Sequence, residues 1–148
     1  MQALTIQVPS APTTPFSPLP PSPEATRARA LEALYATGHW LLTNDRARDA
    51  ASVFRGMIVL APEDERGWLA LGACHEALKQ TQLALDIYGT SQAMNRSAVR
   101  SRLARARVLA GLGRDDEAAL AWASAEEIAN AIGDADLVAL VSLEQASP

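Results

Sequence analysis

Apolar residues recur along most of this chain at intervals of three and four, the period of an α-helix with one buried face. Between Pro23 and the last residue only Pro62 interrupts this pattern, and β-branched residues are sparse. Polar or glycine-containing stretches predict turns at residues 43–45, 61–65, 78–81, 94–97, 111–115 and 132–134. The pattern therefore predicts an all-α protein with seven helices.

The first 22 residues have a different composition. Seven of the nine prolines lie within residues 1–23, and proline both fixes φ and lacks the N–H donor that helices and sheets need. We expect residues 1–22 to form a disordered, proline-rich tail that is mostly unbound, and residues 23–146 to form one helical domain. Ser22 can cap the first helix, and Pro23 suits its first position.

A period of 34 residues runs through the helical part. Four columns share one register: Ala50, Ala84 and Ala118; Phe54, Tyr88 and Trp122; Met57, Ser91 and Ala125; and Gly38, Gly72 and Ala106. This order of small and aromatic positions is typical of the tetratricopeptide repeat, in which each unit is a hairpin of two helices, A and B. We place three units at residues 31–64, 65–98 and 99–132, with a capping helix at about residues 134–146 over the open end.

The columns predict how the hairpins pack. Small residues allow close approach of the helix backbones, and the aromatic residues fill the space between neighbouring hairpins. We expect Phe54, Tyr88 and Trp122 to be buried, and truncation of Phe54 or Trp122 to alanine to cost about 3 to 5 kcal/mol. The third unit departs from the pattern, because Arg102 and Arg105 stand where a tryptophan and a leucine are usual.

Arrays of this kind curve, and helix A of each unit forms the concave wall. Positions 2, 5, 9 and 12 of each unit face it. The predicted groove residues are Tyr35, His39 and Leu42 with Glu32 in the first unit, Arg66, Leu69, Ala73 and Glu76 in the second, and Arg100, Leu103, Arg107 and Ala110 in the third. We expect the apolar members to form a floor and the three arginines to hold carbonyl or carboxylate groups of an extended peptide.

The composition argues against other functions. The net charge of −4 disfavours nucleic acid and anionic membranes as partners, and the arginine-rich residues 96–107 are better explained as a solvated helix face. No apolar stretch is long enough for a membrane helix, and the first basic residue, Arg27, comes too late for an export signal. Cys74, His39 and His75 have neither a metal-ligand spacing nor a nucleophile arrangement, so we expect no enzyme activity, metal or cofactor.

Residues 31–132 resemble the class II chaperones of bacterial type III secretion, tetratricopeptide proteins that hold hydrophobic translocators. The resemblance is carried by Leu34-Tyr35, Asp49-Ala50, Val53-Phe54, Val59-Leu60, the block Leu71-Gly72-Ala73-Cys74, Ala84 with Tyr88, and residues 113–130. It implies a non-enzymatic chaperone in the cytoplasm of a Gram-negative bacterium, which receives an extended client segment of the P-x-L-x-x-P type in its concave groove. Tyr35 matches an aromatic groove residue of the family, whereas His39 and Leu42 stand where the family usually has aromatics.

The sequence leaves two other functions open. One is a tetratricopeptide adaptor that scaffolds a different complex, and the other is a regulator that acts through a transcription factor. It also leaves open whether the long first helix mediates a homodimer. No partner other than a client protein or a second copy of the chain is expected.

Overall fold

The computed structural model describes residues 19–146, and this part of the chain forms seven α-helices. They are α1 (Pro23–Thr43), α2 (Ala47–Leu60), α3 (Glu65–Ala77), α4 (Thr81–Met94), α5 (Val99–Gly111), α6 (Asp115–Ile132) and α7 (Ala135–Gln145). The all-α fold of three helical hairpins and a C-terminal helix is confirmed. The predicted disordered tail falls largely on residues 1–18, which lie outside the described residues, so the division of the chain at residue 22 stays a prediction.

The helices pack in the order expected of a repeat array. Helices α1 and α2, α3 and α4, and α5 and α6 form the three hairpins, and each hairpin packs against the next. The A helices α1, α3 and α5 also contact one another in sequence, so they form one continuous wall. Helix α7 packs against α5 and α6 and buries Val141 among residues of both, as a capping helix should.

Side-chain caps explain where several helices begin. The Ser22 Oγ accepts a hydrogen bond of 3.1 Å from the Ala25 N–H, and Pro23 occupies the first turn of α1. Asp64 accepts from the N–H of Arg66 at the start of α3, and the Asp134 carboxylate caps α7 in the same way. Each cap satisfies an N–H group that has no partner within its own helix.

Helix α5 begins differently, because its N-terminal residue Ala98 has no side chain that could cap it. Instead, Oε1 of Glu65 in the preceding unit accepts a hydrogen bond of 2.6 Å from the Ser101 N–H. The hydroxyls of Ser91 and Ser101 form a second, buried hydrogen bond of 2.8 Å at the same junction. The second and third units are therefore joined by polar contacts as well as by apolar packing.

The first two hairpins depend on a glycine in helix A that faces an aromatic ring in helix B. Phe54 and Tyr88 are each 1% exposed. A Cβ atom at Gly38 would lie 2.6 Å from the Phe54 ring, and one at Gly72 would overlap the Tyr88 ring. Only glycine permits this approach, so the column of small residues found in the sequence sets the distance between the two helices.

The third hairpin lacks this contact. Ala106 occupies the glycine position, and Trp122 is only partly buried at the edge of two apolar clusters. The expectation that Trp122 is as buried as Phe54 and Tyr88 is therefore wrong, and the methyl group of Ala106 explains why. That methyl group occupies the space into which the ring packs in the other two units.

Arg102 replaces the tryptophan that stands at position 68 of the second unit. The Trp68 Nε1 donates a hydrogen bond of 2.8 Å to the Pro62 carbonyl. Arg102 is 8% exposed, and its guanidinium donates to the Ala98 carbonyl at 2.8 Å and to the Ser124 hydroxyl at 3.0 Å. Burial lowers the pKa of Arg102 below its usual value. The arginine thus fills a core position through hydrogen bonds rather than apolar contact alone.

We predict that Gly72→Ala destabilises the protein by about 1 to 3 kcal/mol, because the new methyl group displaces the Tyr88 ring. Gly56→Ala is the matched control, since that glycine lies in α2 with no atom within 4 Å of the added Cβ, and it should stabilise by roughly 0.5 to 1 kcal/mol. Urea denaturation gives both values. Equal stability of the two variants would contradict the packing described here.

Phe54→Ala should cost about 3 to 5 kcal/mol of unfolding free energy, as expected for a fully buried ring. Trp122→Ala should cost clearly less, because its ring is partly exposed and leaves a smaller cavity. The two variants can be compared by the midpoint of chemical denaturation. A greater loss for Trp122→Ala would show that the third hairpin is packed as tightly as the first.

Candidate peptide-binding groove

A cavity of about 550 Å³ lies on the wall formed by the A helices. We call it the main cavity. It is lined by Tyr35, His39, Leu42, Phe54, Glu65, Arg66, Leu69, Ala70, Ala73 and Arg100. Seven of the eleven groove residues predicted from the repeat positions are among these ten. The repeat register therefore brings together residues that are up to 65 positions apart, from Tyr35 to Arg100.

A smaller cavity of about 220 Å³ adjoins the main cavity toward α7. We call it the α7 cavity. Its lining consists of Leu69, Arg100, Leu103, Arg107, Leu140 and Glu144. Leu69 and Arg100 line both cavities, so the two form one continuous surface, the groove. Tyr35, Leu69 and Leu103 all lie along it.

Leu103 lies deeper than expected. It is 2% exposed and packs with Val99, Ala125, Ala129 and Val141 in the core between α5, α6 and α7. It therefore supports the α7 cavity from below rather than offering an open floor, and this part of the prediction is corrected. The reason is that α7 covers this end of the wall.

Two further predicted residues do not line the groove. Glu76 lies in a separate polar cavity of about 520 Å³, which it shares with Arg107, and its carboxylate accepts a short hydrogen bond from the Tyr88 hydroxyl. Burial and this carboxylate raise the pKa of Tyr88. Ala110 is exposed and lines none of the cavities described here. Both follow in sequence from positions 9 and 12 of the unit, where α3 and α5 run past the end of the groove.

Tyr35 is the most constrained side chain of the main cavity. Its ring centroid is 6.2 Å from that of Phe54, at an interplanar angle of 60°, and 6.3 Å from that of His39. The Arg66 guanidinium carbon lies 5.2 Å from the Tyr35 centroid, within range of a cation–π interaction. The ring is thus held in place before any ligand binds.

Arg66 is not free to bind a client carboxylate, which corrects the role predicted for it. Its Nη1 is 2.9 Å from Oε1 of Glu32, and its Nη2 is 2.8 Å from Oδ2 of Asp64. The hydrogen bonds to these two carboxylates raise the pKa of Arg66 above its usual value. The hydrogen bond from Arg66 in turn lowers the pKa of Asp64. Arg66 therefore organises Tyr35 and the start of α3.

The remaining predicted arginines differ from each other. The Arg107 Nε lies 3.5 Å from Oε2 of Glu144 in α7. Arg100 is exposed beside both cavities and has no ion pair or hydrogen bond with any residue between 19 and 146. The three arginines that the sequence treats alike are thus in three different electrostatic situations.

Several lining residues were missed by the sequence analysis. Phe54 and Ala70 reach the main cavity from beneath, Glu65 begins α3, and Leu140 with Glu144 comes from α7. The spacing of four between Leu140 and Glu144 places both on one helical face, which is the signal that could have found them. A shallow cavity of about 420 Å³ also extends past Tyr35 and His39 to Trp40, which is 58% exposed.

Potentially reactive groups near the groove are packed rather than poised for chemistry. His75 is 5% exposed, and its Nδ1 lies 2.6 Å from the Gln80 Oε1. Cys74 is fully buried, and burial raises the pKa of its thiol to about 11. Within residues 19–146 no group of His, Cys, Asp and Glu side chains could hold a metal ion. No helix in this part of the chain combines the length and apolar character needed to cross a bilayer.

No protein-family model matches the chain. A cell division cycle protein 27 homolog of Caenorhabditis elegans is 38% identical over 64 residues, and the match covers 38% of this chain but only 8% of that protein. The solved type III secretion translocator chaperone SycD of Yersinia enterocolitica is 30% identical, with a TM-score of 0.69 over 81% of this chain and 91% of SycD. SycD has also been solved as an alternative dimer.

A second similar structure contains a bound partner. It is PcrH, a protein of Pseudomonas aeruginosa, in complex with the chaperone binding region of PopB. PcrH is 29% identical to this chain, with a TM-score of 0.66 over 78% of this chain and 94% of PcrH. In both comparisons the shared part includes most of the helical array described above.

The buried thiol generates a prediction about alkaline stability. The pKa of Cys74 is about 11 in the folded protein and 9.0 for an unperturbed thiol, so above pH 9 the unfolded chain loses its proton while the folded chain keeps it. Stability should therefore fall between pH 9 and pH 11, by up to about 1.4 kcal/mol per pH unit. Cys74→Ala should remove this part of the slope. An identical pH dependence of the two proteins in urea denaturation would contradict the assignment.

Proposed function

Because the chain belongs to the family of type III secretion translocator chaperones, we propose that it binds an extended segment of a hydrophobic translocator or other exported subunit in its groove and keeps that client from aggregating before export. The continuous surface of the main cavity and the α7 cavity is the observation that carries this proposal. An extended chain can lie along both cavities and place side chains in each.

The size and composition of the groove suit reversible binding. Tyr35, Leu42 and Leu69 provide apolar contacts in a main cavity of about 550 Å³. Three apolar anchors contribute roughly 4 to 9 kcal/mol, and ordering a flexible segment subtracts about 2 to 5 kcal/mol. The net value corresponds to a Kd near micromolar or weaker, since micromolar binding is about 8 kcal/mol. Such a client can be released when it is exported.

The proposed role is binding without catalysis, in the cytoplasm of a Gram-negative bacterium. The packed environment of His75 and Cys74 supports this, because neither residue faces the groove with a partner that could activate it. Self-association is part of the proposal, since SycD has been solved as a dimer. Helix α1 has no preceding unit to cover it, and Trp40 on its surface is 58% exposed.

The test is co-expression with a hydrophobic exported protein encoded beside this chain's gene. The wild type should increase the soluble fraction of that protein. Ala73→Gln should lower its affinity by about tenfold or more, because a longer side chain occupies the half-buried position that Ala73 has in the main cavity. Affinity can be measured by titration of the purified client segment against each variant.

Ala93→Gln is the matched control, since Ala93 is exposed on α4 and lines none of the cavities described. It should bind like the wild type. The proposal fails if the neighbour's solubility does not change on co-expression. The placement of the binding surface fails if Ala93→Gln and Ala73→Gln reduce binding equally.

A further inference from the structure

The charges along the groove are paired with one exception. Glu32, Arg66 and Arg100 occupy the same position in the three successive units, 34 residues apart. The first two have opposite charges and form an ion pair of 2.9 Å. The third repeats the sign of the second, so Arg66 cannot neutralise it. Arg100 is left exposed without a partner among residues 19–146.

The other charged groups that line the two cavities each have a counterpart. Arg66 is bound by Glu32 and Asp64, and Arg107 lies 3.5 Å from Glu144. Glu65, the acidic group nearest in sequence to Arg66, accepts the hydrogen bond from the Ser101 N–H that begins α5. It also acts electrostatically on the buried Arg102. The groove therefore offers an incoming segment one uncompensated charge, and it is positive.

Arg100 lies where the two cavities meet. It lines both of them together with Leu69, so an apolar subsite extends to either side of the guanidinium. Tyr35 and Leu42 belong to the subsite in the main cavity, and Leu140 belongs to the one in the α7 cavity. A carboxylate between two apolar side chains would meet Arg100 while both neighbours are buried.

Resting on the function proposed above, we propose that the client segment carries an Asp or Glu between two apolar anchors and that Arg100 selects it by binding the carboxylate. Neighbouring packed helices such as α3 and α5 have axes about 8 to 10 Å apart, and an extended chain advances about 3.3 Å per residue. The two anchors are then about three residues apart, with the acidic residue between them. Arg100 is a specificity-determining residue, and the cavities supply most of the binding.

The experiment uses a random library of 12-residue peptides displayed on phage and selected against the full chain. The wild type should enrich peptides that have Asp or Glu between two apolar residues. Arg100→Gln should lose this preference while it still enriches apolar pairs, and Arg100→Glu should favour Lys or Arg at the same place. Arg48→Gln, an equal charge change at an exposed position of α2, should select like the wild type.

A direct measurement follows from the selected peptides. Replacing the acidic residue by its amide should weaken binding to the wild type by about five- to tenfold and leave binding to Arg100→Gln unchanged. Fluorescence polarisation of the labelled peptides gives both affinities, and thermal melting verifies that Arg100→Gln is folded. The amide replacement tests the wild type itself, so a variant that does not fold cannot obscure the result.

The outcomes separate this inference from the proposed function. Apolar peptides enriched without any acidic preference would overturn the role of Arg100 and leave groove binding intact. An equal loss of affinity for the amide peptides in the wild type and Arg100→Gln would also overturn it. Enrichment of no peptide by any variant would count against binding in the groove, and against this inference with it.

Discussion

The contact between a glycine in one helix and an aromatic ring in its partner determines the geometry of the first two hairpins. Gly38 and Gly72 let the rings of Phe54 and Tyr88 pack directly on the backbone of the neighbouring helix. Phe54 also lines the main cavity and lies beside Tyr35, so the same ring links the core to the groove. The position of the binding surface is therefore a consequence of how closely the hairpin helices approach each other.

Charge is distributed over the groove in a way that separates structural roles from recognition. Arg66 holds Glu32 and Asp64 together and lies over Tyr35, so its charge is used within the protein. A surface ion pair contributes little to stability by itself, but here it fixes an aromatic side chain at the ligand surface. The value of the pair lies in preorganisation, which lowers the entropic cost of binding.

The fold could be predicted from the sequence because a 34-residue period repeats the same packing problem three times. The groove residues of α1 and α3 followed from the same register. The pairing of Arg66 did not, because it depends on side-chain geometry between adjacent units, although opposite charges at one repeat position are visible in the sequence. The contribution of Leu140 was missed because α7 lies outside the repeat. The exposure of Trp122 depends on one methyl group, that of Ala106, which a pattern of small residues does not distinguish from hydrogen.

The hydrogen bond from the Ser101 N–H to Glu65 affects more than the start of α5. Because α5 has no side-chain cap of its own, its first turn is completed by a residue of the preceding unit. The nearest-neighbour coupling between these units is thus partly directional: α5 needs α3 in place, whereas α3 is capped by its own Asp64. Assembly of the array from the N-terminal side toward the C-terminal side matches the order in which a ribosome releases the chain.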